Sequence, residues 1–155
     1  MVKIRRVETT DTEAVKQLIT QIMDAEFQED KAAFATADLD HLLESYGALG
    51  EAFFVAENGK SIVGTVGVKK EDDRVAFLRR IFVAPAYRKK RIGLELLKRA
   101  IEFSQEVGYQ ELIFKTTSRM KGACELVRRH GFNLRAKIPM GRLELLKFSL
   151  SLKGK

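Results

Sequence analysis

The period of the apolar residues changes twice along the chain, and this change limits the fold more than any other feature of the sequence. Apolar residues recur at helical intervals from Val15 to Met23 and again over residues 92–107. Between these stretches, residues 52–83 are rich in β-branched and aromatic side chains. They contain Asn58-Gly59, a strong hairpin signal that we assign to a type I′ turn. The sequence therefore predicts a three-strand antiparallel meander between two helices.

The remaining segments continue this mixture of strands and helices. The predicted elements are a strand over residues 2–7, a helix from Thr10 to about residues 24–27, a helix within 29–46, the three strands of 52–83, a helix over 92–107, a strand over 111–116, a helix that Thr117 or Ser118 caps and Gly131 ends, and strands over 132–136 and 142–150. This order predicts an α/β fold with a mixed, mostly antiparallel sheet of about seven strands flanked by about four helices. The length of 155 residues is typical of one domain, so we expect a single domain over residues 1–155.

The charge and the cysteine content restrict the class of protein. The formal net charge of +7 at pH 7 indicates an anionic partner, which leaves nucleic acid, a membrane surface and an anionic metabolite open. The single cysteine, Cys124, excludes an internal disulfide framework. Residues 2–6 are charged and lack the apolar core of a secretory signal, and no apolar run approaches the roughly 18–20 residues that cross a bilayer. We therefore expect a cytoplasmic protein without a membrane partner.

The most informative segment is a strand that runs through a basic turn into a helix. Residues 88–91 are all cationic, and they directly precede the helix predicted to begin at Ile92. The first amides of a helix lack internal partners and lie at the positive end of its dipole, so this turn can bind a phosphate or pyrophosphate. Gly93 would let such a ligand approach the backbone closely. From composition alone, a solvated basic turn is an equal alternative.

This segment resembles the cofactor motif of the GNAT superfamily of acetyl-CoA-dependent N-acetyltransferases. The family pattern is Arg or Gln, two residues, Gly, one residue, then Gly or Ala, and here it is Arg88-Lys89-Lys90-Arg91-Ile92-Gly93. The motif follows Val83-Ala84-Pro85-Ala86-Tyr87 and is followed by Leu96-Leu97. Downstream, Ala123-Cys124-Glu125-Leu126 and Gly131-Phe132 match the family's Ala-x-x-Leu and Gly-Phe. With the matching order of elements, the resemblance extends over nearly the whole chain.

The resemblance implies an acetyl-CoA site and an activity. In such proteins the strand before the motif pairs through its backbone with the pantetheine arm and the acetyl group, and the amides of the turn hold the pyrophosphate. The strand residues are Ile81, Phe82 and Val83, and the turn residues are Arg88, Lys89, Lys90, Arg91, Ile92, Gly93 and Leu94. The implied reaction is direct transfer of an acetyl group from acetyl-CoA to a primary amine of a small molecule, an amino acid, a peptide or a protein.

Two departures from the family pattern affect the site. Arg91 replaces the first glycine of the motif, which is tolerated if its φ is negative and costs about 1 kcal/mol if its φ is positive. Many relatives carry a Tyr that protonates the leaving thiolate, but the corresponding residue here is Val127, and the Asn often found earlier in that helix corresponds to Met120.

No residue is assigned as catalytic. Cys124, Thr117 and Ser118 lie near the missing Tyr and are alternative proton donors, although packing and helix capping explain them equally. The strand before the motif also shows no carboxylate in residues 77–80 that could serve as the base.

The charges are distributed unevenly along the chain. Residues 24–51 contain eight carboxylates and one cation, Lys31, for a net charge of −7, so the rest of the chain carries +14. We hypothesise that this segment forms an acidic mouth, centred on Glu26, Glu29 and Asp30, that attracts a cationic amine. The alternative is that these residues form solvated helix faces. His41 and Tyr46 could relay protons there or serve as surface and packing residues.

Other functions are kept as alternatives. Because Val127 replaces the Tyr and no base is visible, a catalytically weak acyl-CoA-binding module is the second interpretation. Nucleic-acid binding is disfavoured because one CoA accounts for the basic residues and few aromatic residues accompany them. His41 and His130 are isolated in the sequence, so neither a metal site nor a covalent acyl-enzyme is expected. A homodimer is possible.

Overall fold

A computed structural model describes residues 2–152, which form one seven-stranded sheet. The strands are β1 (Val2–Arg6), β2 (Ala52–Asn58), β3 (Ser61–Lys70), β4 (Val75–Val83), β5 (Glu111–Thr117), β6 (Asn133–Met140) and β7 (Leu143–Ser151). They are arranged in the order β1-β2-β3-β4-β5-β7-β6, and only β4 and β5 pair in parallel. The predicted α/β fold with a mostly antiparallel sheet of seven strands is confirmed.

The helices are unequal in length. They are α1 (Thr12–Glu26), α2 (Ala37–Asp40), α3 (Leu42–Ser45), α4 (Ile92–Val107) and α5 (Lys121–Arg129), with 3-10 turns at Thr9–Asp11, Gln28–Ala33 and Pro85–Tyr87. The prediction of one helix within residues 29–46 is wrong. This segment breaks at Phe34, which is extended, and again at His41. The breaks let Phe34, Leu39 and Tyr46 all turn into the same apolar cluster.

Two strand predictions need correction. Gly59 alone has a positive φ at the β2–β3 turn, and Asn58 remains in the strand opposite Ser61, so the turn is not of type I′. β6 continues to Met140, beyond the predicted end at residue 136. Its Pro139 is compatible with a strand because β6 lies at the edge of the sheet, where a missing amide leaves no ladder bond unmade.

The sheet is covered differently on its two faces. On one face, α4 and α5 pack against all the central strands and enclose the main apolar cluster, which includes Phe54, Leu78, Leu112 and Phe148. On the other face, the segment from α1 to α3 packs on β2 and β3 to form a second cluster. Within residues 2–152, no residue of β5, β6 or β7 belongs to that second cluster, so this part of the second face is left open. Within the same residues, no helix is long and apolar enough to span a bilayer.

Candidate active site

The parallel strands β4 and β5 separate halfway along their length. Residues 75–78 pair with residues 111–114, and the pairing ends there. Beyond this point Gly67 pairs with Arg79 and Thr65 with Phe82, so β4 carries a bulge of two residues opposite Val66 alone. Such a bulge bends its strand, while β5 continues to pair with β7 as far as Thr117. The two central strands therefore diverge and open a split in the sheet.

The bulge has a strained backbone. Arg80 has a φ of +55°, and its carbonyl oxygen accepts a hydrogen bond of 2.7 Å from Thr65 Oγ1. Thr65 is fully buried in the neighbouring strand β3, so its hydrogen bond holds the backbone of Arg80 in place. The left-handed conformation is unfavourable for a residue with a Cβ, and strain of this kind concentrates at functional sites.

A cleft of about 1810 Å³ occupies the split and the space between α4 and α5. This volume exceeds the range of about 300–1,000 Å³ that is usual for one small ligand, so the cleft can hold two substrates. Nine of the ten predicted cofactor residues line it: Ile81, Phe82, Val83, Arg88, Lys89, Arg91, Ile92, Gly93 and Leu94. Lys90 is the exception, because it borders a separate depression and its Nζ lies 5.5 Å from the centre of the Tyr87 ring.

The basic turn has the backbone of an anion site. Lys89 and Arg91 have φ values of +63° and +67°, whereas Lys90 between them does not adopt a positive φ. Alternation of left- and right-handed residues directs successive amides toward one side, and such nests bind anions. Of the two alternatives for Arg91, the positive φ holds, at a cost of about 1 kcal/mol.

The amides of this turn are available to a ligand. Among residues 2–152, the backbone hydrogen bonds outside regular elements use none of the amides of residues 89–91. The first intrahelical bond of α4 runs from the Glu95 amide to the Arg91 carbonyl oxygen at 3.0 Å, so the amides of residues 92–94 have no helical partner. Six consecutive amides, those of residues 89–94, are therefore left without a backbone partner beside the cleft.

Arg88 does not belong to this set. Its amide donates to the Pro85 carbonyl oxygen at 3.3 Å and is therefore already paired, and the assignment of Arg88 to the cofactor stays a prediction. Its guanidinium donates to both carboxylate oxygens of Glu26, at 2.7 and 2.9 Å, and to the Val83 carbonyl oxygen at 3.0 Å. Arg88 thus joins the end of α1 to the end of β4 and fixes the side of the cleft.

Gly93 lies where the turn meets the cleft. A Cβ added here would lie 3.5 Å from Leu126 Cδ2 and 3.7 Å from Val83 Cγ2, which are ordinary contact distances. The protein itself therefore has room for a methyl group at this position. That methyl group would point between α5 and the end of β4, into the cleft.

Asp38, Arg80 and Tyr46 form a buried polar cluster beside the split. Arg80 Nη2 and Nε donate to the two carboxylate oxygens of Asp38 at 2.6 and 3.0 Å, and Tyr46 Oη donates to Asp38 Oδ2 at 2.7 Å. Burial alone would raise the pKa of Asp38, but the hydrogen bonds from Arg80 and Tyr46 outweigh it and hold the pKa below its ordinary value. Burial, and then the bond to Asp38, raises the pKa of Tyr46. Neither group is a ready proton acceptor at neutral pH.

The acidic segment of residues 24–51 is neutralised from within the protein. Seven of its eight carboxylates form ion pairs with lysine or arginine: Asp24 with Lys31, Glu26 with Arg88, Glu29 and Asp30 with Arg119, Asp38 with Arg80, Asp40 with Lys16, and Glu51 with Lys69. Four of these carboxylates meet arginines of β4, its following turn or the β5–α5 loop. The prediction of a free acidic mouth is therefore wrong, because these four carboxylates pair with arginines and hold residues 24–51 against the cleft.

Asp30 is the clearest example of a carboxylate that pairs with an arginine of the cleft. It is fully buried, and it accepts hydrogen bonds from Thr117 Oγ1 and, at 3.1 Å, from Arg119 Nε. The charge asymmetry of the sequence thus corresponds to two surfaces that pack against each other.

The residues around the missing Tyr have structural roles. Val127 is fully buried in the main cluster, and Met120 is buried and accepts a hydrogen bond from Thr116 Oγ1 at 3.2 Å. Ser118 Oγ accepts the Glu144 amide at 3.0 Å. Cys124 donates to the Thr117 carbonyl oxygen, and burial raises the pKa of its thiol.

The two histidines lie apart. His130 lines the cleft, whereas His41 is exposed next to Glu44. In the part of the chain that the structure describes, no three His, Cys, Asp or Glu side chains are grouped as a metal site would require.

Sequence reasoning missed the Glu26–Arg88 and Asp38–Arg80 pairs as parts of the site. The partners are 62 and 42 residues apart in the chain, so no local pattern could have found them. It also missed Lys115 and Lys147, two cations on the open face of the sheet that border the cleft.

Known proteins resemble this chain in sequence and in fold. The family model of the acetyltransferase (GNAT) family matches residues 16–132, which is more than half of the chain. The "Probable N-acetyltransferase camello" of Xenopus tropicalis is 33% identical over 111 residues. That match covers 70% of this chain and 51% of the relative, so the chain spans about half the length of this relative.

Two solved structures share the fold. The acetyltransferase of the GNAT family from Staphylococcus aureus Mu50 superimposes with a TM-score of 0.86 at 23% identity, covering 99% of this chain and 100% of that one. The structure of yncA from Salmonella typhimurium with its cofactor acetyl-CoA gives a TM-score of 0.81 at 21% identity, covering 99% and 95%. At these identities the likeness concerns the fold.

Proposed function

The chain belongs to the acetyltransferase (GNAT) family, and from this membership we propose that it is an acetyl-CoA-dependent N-acetyltransferase. The observation that carries the proposal is the run of six free amides over residues 89–94, which opens onto the split between β4 and β5. A pyrophosphate has the charge and the number of acceptor oxygens that such a run of donors requires. The solved relative with acetyl-CoA supports the choice of this ligand.

The turn, its cations and the free edge of β4 fit the parts of acetyl-CoA. The amides of residues 89–94 would hold the pyrophosphate, and the exposed cations Lys89 and Arg91 would add charge beside it. Gly93 would let the ligand pass between α4 and Leu126. The edge of β4 at residues 81–83, which β5 has left, would pair with the pantetheine arm.

The reaction follows from what these residues can do. When bound, acetyl-CoA supplies an acetyl group that is activated as a thioester. In the transfer, a bond forms between the amine nitrogen and the acetyl carbon as the carbon–sulfur bond breaks, and the nitrogen loses a proton while the sulfur gains one. Asp38 has a lowered pKa and accepts three hydrogen bonds, so we assign the proton transfer to water in the cleft rather than to this carboxylate.

The acceptor remains a proposal at the level of a primary amine of a small molecule, an amino acid, a peptide or a protein. The predicted preference for a cationic acceptor depended on a free acidic mouth, but the carboxylates of that mouth are paired with arginines. The cytoplasmic location, the single domain over residues 1–155 and the possible homodimer stay predictions.

A catalytically weak acyl-CoA-binding module is the second candidate, and one observation favours it. Val127 is fully buried in the core at the position of the family's Tyr, so this position offers no proton to the leaving sulfur. The two candidates make the same prediction for CoA binding and opposite predictions for turnover.

The experiment combines calorimetric titration of CoA with thiol release from acetyl-CoA across a panel of primary amines. We expect saturable CoA binding and amine-dependent thiol release. Saturable binding without release on any amine would favour the module, and failure to bind CoA would refute both candidates.

A further inference from the structure

Three cations form a row across the open face of the sheet. Lys115 on β5 and Lys147 on β7 are direct cross-strand partners in the antiparallel pair. β4 pairs with β5 in the register 77–113 and 78–114, and continuing this register places Arg79 beside Lys115. All three side chains border the cleft. We call them the basic row.

No carboxylate of the described residues forms an ion pair with the basic row, although Arg79 lies close enough to Asp38 to help lower the pKa of that carboxyl. Among residues 2–152, no ion pair includes Arg79, Lys115 or Lys147. Instead, Lys115 Nζ and Arg79 Cζ lie 5.0 and 5.6 Å from the centre of the Phe77 ring, so one aromatic ring makes cation–π contacts with both side chains.

The nearest carboxylates are engaged elsewhere. Asp30 is held by Thr117 and Arg119, and Asp38 by Arg80 and Tyr46. Glu111 lies on the same strand and face as Lys115, four residues away, and accepts a hydrogen bond from Ser149 Oγ at 2.5 Å. None of these three groups forms an ion pair with the basic row.

An arrangement of this kind opposes folding. Like charges directly opposite each other on neighbouring strands destabilise a sheet. A cross-strand lysine pair with an arginine beside it therefore favours the binding of an anion. On the basis of the proposed function, we propose that the acceptor is a small primary amine that carries a carboxylate, and that the basic row binds this carboxylate.

The position of the basic row fits this role. Arg79 and Lys115 lie immediately after the last pair between β4 and β5, at the vertex of the split. The row lies on the face opposite α4 and α5, so an acceptor can approach without crossing the path from the anion-binding turn. Ile81 is two residues farther along β4, and because these residues form the bulge the distance is at most the roughly 7 Å of two extended residues, so a carboxylate on the row suits an amine separated from it by a short carbon chain.

The charge of the opposite side agrees with this assignment. A cationic acceptor would need a free carboxylate at the cleft, but Glu26, Asp30 and Asp38 are all paired with arginines. The unpaired charge at this part of the cleft is therefore positive, and a second ammonium group on the acceptor would be repelled.

The first test compares three series of primary amines that differ only at the far end. They are ω-amino carboxylates, alkylamines and diamines of equal chain length, assayed by thiol release at saturating acetyl-CoA. We expect the best ω-amino carboxylate to have a kcat/KM at least about tenfold above that of the alkylamine of the same length, with the diamine lowest. This preference should weaken as salt screens the charges. Alkylamines or diamines that react as well as the carboxylates would overturn the proposal.

The second test uses variants with a matched control. Lys115→Gln and Lys147→Gln should each lower kcat/KM for the ω-amino carboxylate by about three- to tenfold, and lower it clearly less for the alkylamine of the same length. Lys115→Arg should retain the preference. The control is Lys60→Gln, which removes the same charge from an exposed residue of the β2–β3 turn that does not line the cleft. Equal losses in Lys60→Gln and Lys115→Gln would contradict a local carboxylate site.

Binding is measured separately, so that failure of the site and failure of catalysis can be told apart. The CoA-saturated protein is titrated with each ω-amino carboxylate while the backbone amide signals of β5 and β7 are followed by NMR. Saturable shifts near Lys115 that Lys115→Gln abolishes support the carboxylate site even if no amine is turned over, in which case only the proposed activity fails. The absence of such shifts for every chain length refutes the site, whether or not the enzyme acetylates other amines.

Discussion

Replacement of Gly93 by alanine separates the folding of this protein from its binding of CoA. The new Cβ would lie 3.5 Å from Leu126 Cδ2 and 3.7 Å from Val83 Cγ2, so the folded protein accommodates it without movement. Gly93 has no positive φ and is the second residue of α4. Alanine favours a helix by up to about 1 kcal/mol over glycine, and it also restricts the unfolded chain. The variant should therefore be as stable as the wild type or more stable, with a Tm higher by about 1–4 °C.

The effect on the ligand has the opposite sign. The Gly93 amide is one of the six that can donate to the pyrophosphate, and the methyl group would enter the space through which the ligand approaches. Alanine keeps the amide, so the effect is steric: if the methyl group pushes the pyrophosphate away from this amide, loss of that one hydrogen bond to a charged group costs about 1.5–3 kcal/mol, which corresponds to about 10- to 100-fold weaker binding of CoA.

Thermal unfolding with and without CoA measures both effects. At a CoA concentration about 100 times the wild-type Kd, the ligand stabilises the wild type by about 2.7 kcal/mol, or about 5–10 °C in Tm. Under the same conditions the stabilisation of Gly93→Ala should fall to about 0.4–1.4 kcal/mol. Gly122→Ala is the comparison, because Gly122 is the second residue of α5 and a Cβ there meets nothing within 4 Å, although Gly122 also lines the cleft. It should show the higher Tm with a smaller loss of affinity than Gly93→Ala.

Two results would refute this reasoning. If Gly93→Ala binds CoA as tightly as the wild type, the added methyl group does not obstruct the approach of the ligand to the Gly93 amide. If it lowers the Tm of the free protein, the space beside Leu126 and Val83 is smaller than the contact distances indicate.

Three further predictions concern stability. Arg91→Gly should be more stable than Arg91→Ala by about 1 kcal/mol in urea unfolding, because only glycine relieves the φ of +67°; equal stability would contradict strain there. Asp38→Asn should lower the free energy of unfolding at pH 7 by about 2–3 kcal/mol. Since the pKa of Asp38 is lowered in the folded protein, this contribution is complete above about pH 4 and is lost as the pH falls further, so the difference in Tm between variant and wild type should shrink in acid; a constant difference would argue against the charge. Lys147→Gln should stabilise the free protein by about 0.2–1 kcal/mol at low salt and by less at high salt, because it removes the repulsion from Lys115; a salt-independent change would point to packing.

Local patterns in the sequence were sufficient for most elements of the fold. The helical stripe of α4 and the β-branched strands from Ala52 to Val83 have periods that depend only on neighbouring residues, and both are where the sequence placed them. The segment 29–46 was not predicted correctly. Its apolar residues are directed toward a core formed by other parts of the chain, and tertiary packing outweighed the helical tendency.

The same division applies to the candidate site. The basic turn before α4 was readable from the sequence because an anion site at a helix start is built from consecutive residues, and nine of the ten residues named for it line one cleft. The sequence left the sign of φ at Arg91 open, because the backbone conformation there depends on how the turn is held between β4 and α4.

The sequence by itself determined the order of the strands and of the long helices, the basic turn before α4 and the family. Only the tertiary structure decided how the charges are used. It pairs the acidic segment with arginines of the cleft at separations of 42 and 62 residues, and it brings Arg79, Lys115 and Lys147 together from three strands. Coulomb interactions depend on distance in space and not on distance along the chain, so a count of charges by segment could show the asymmetry but not which charges remain unpaired.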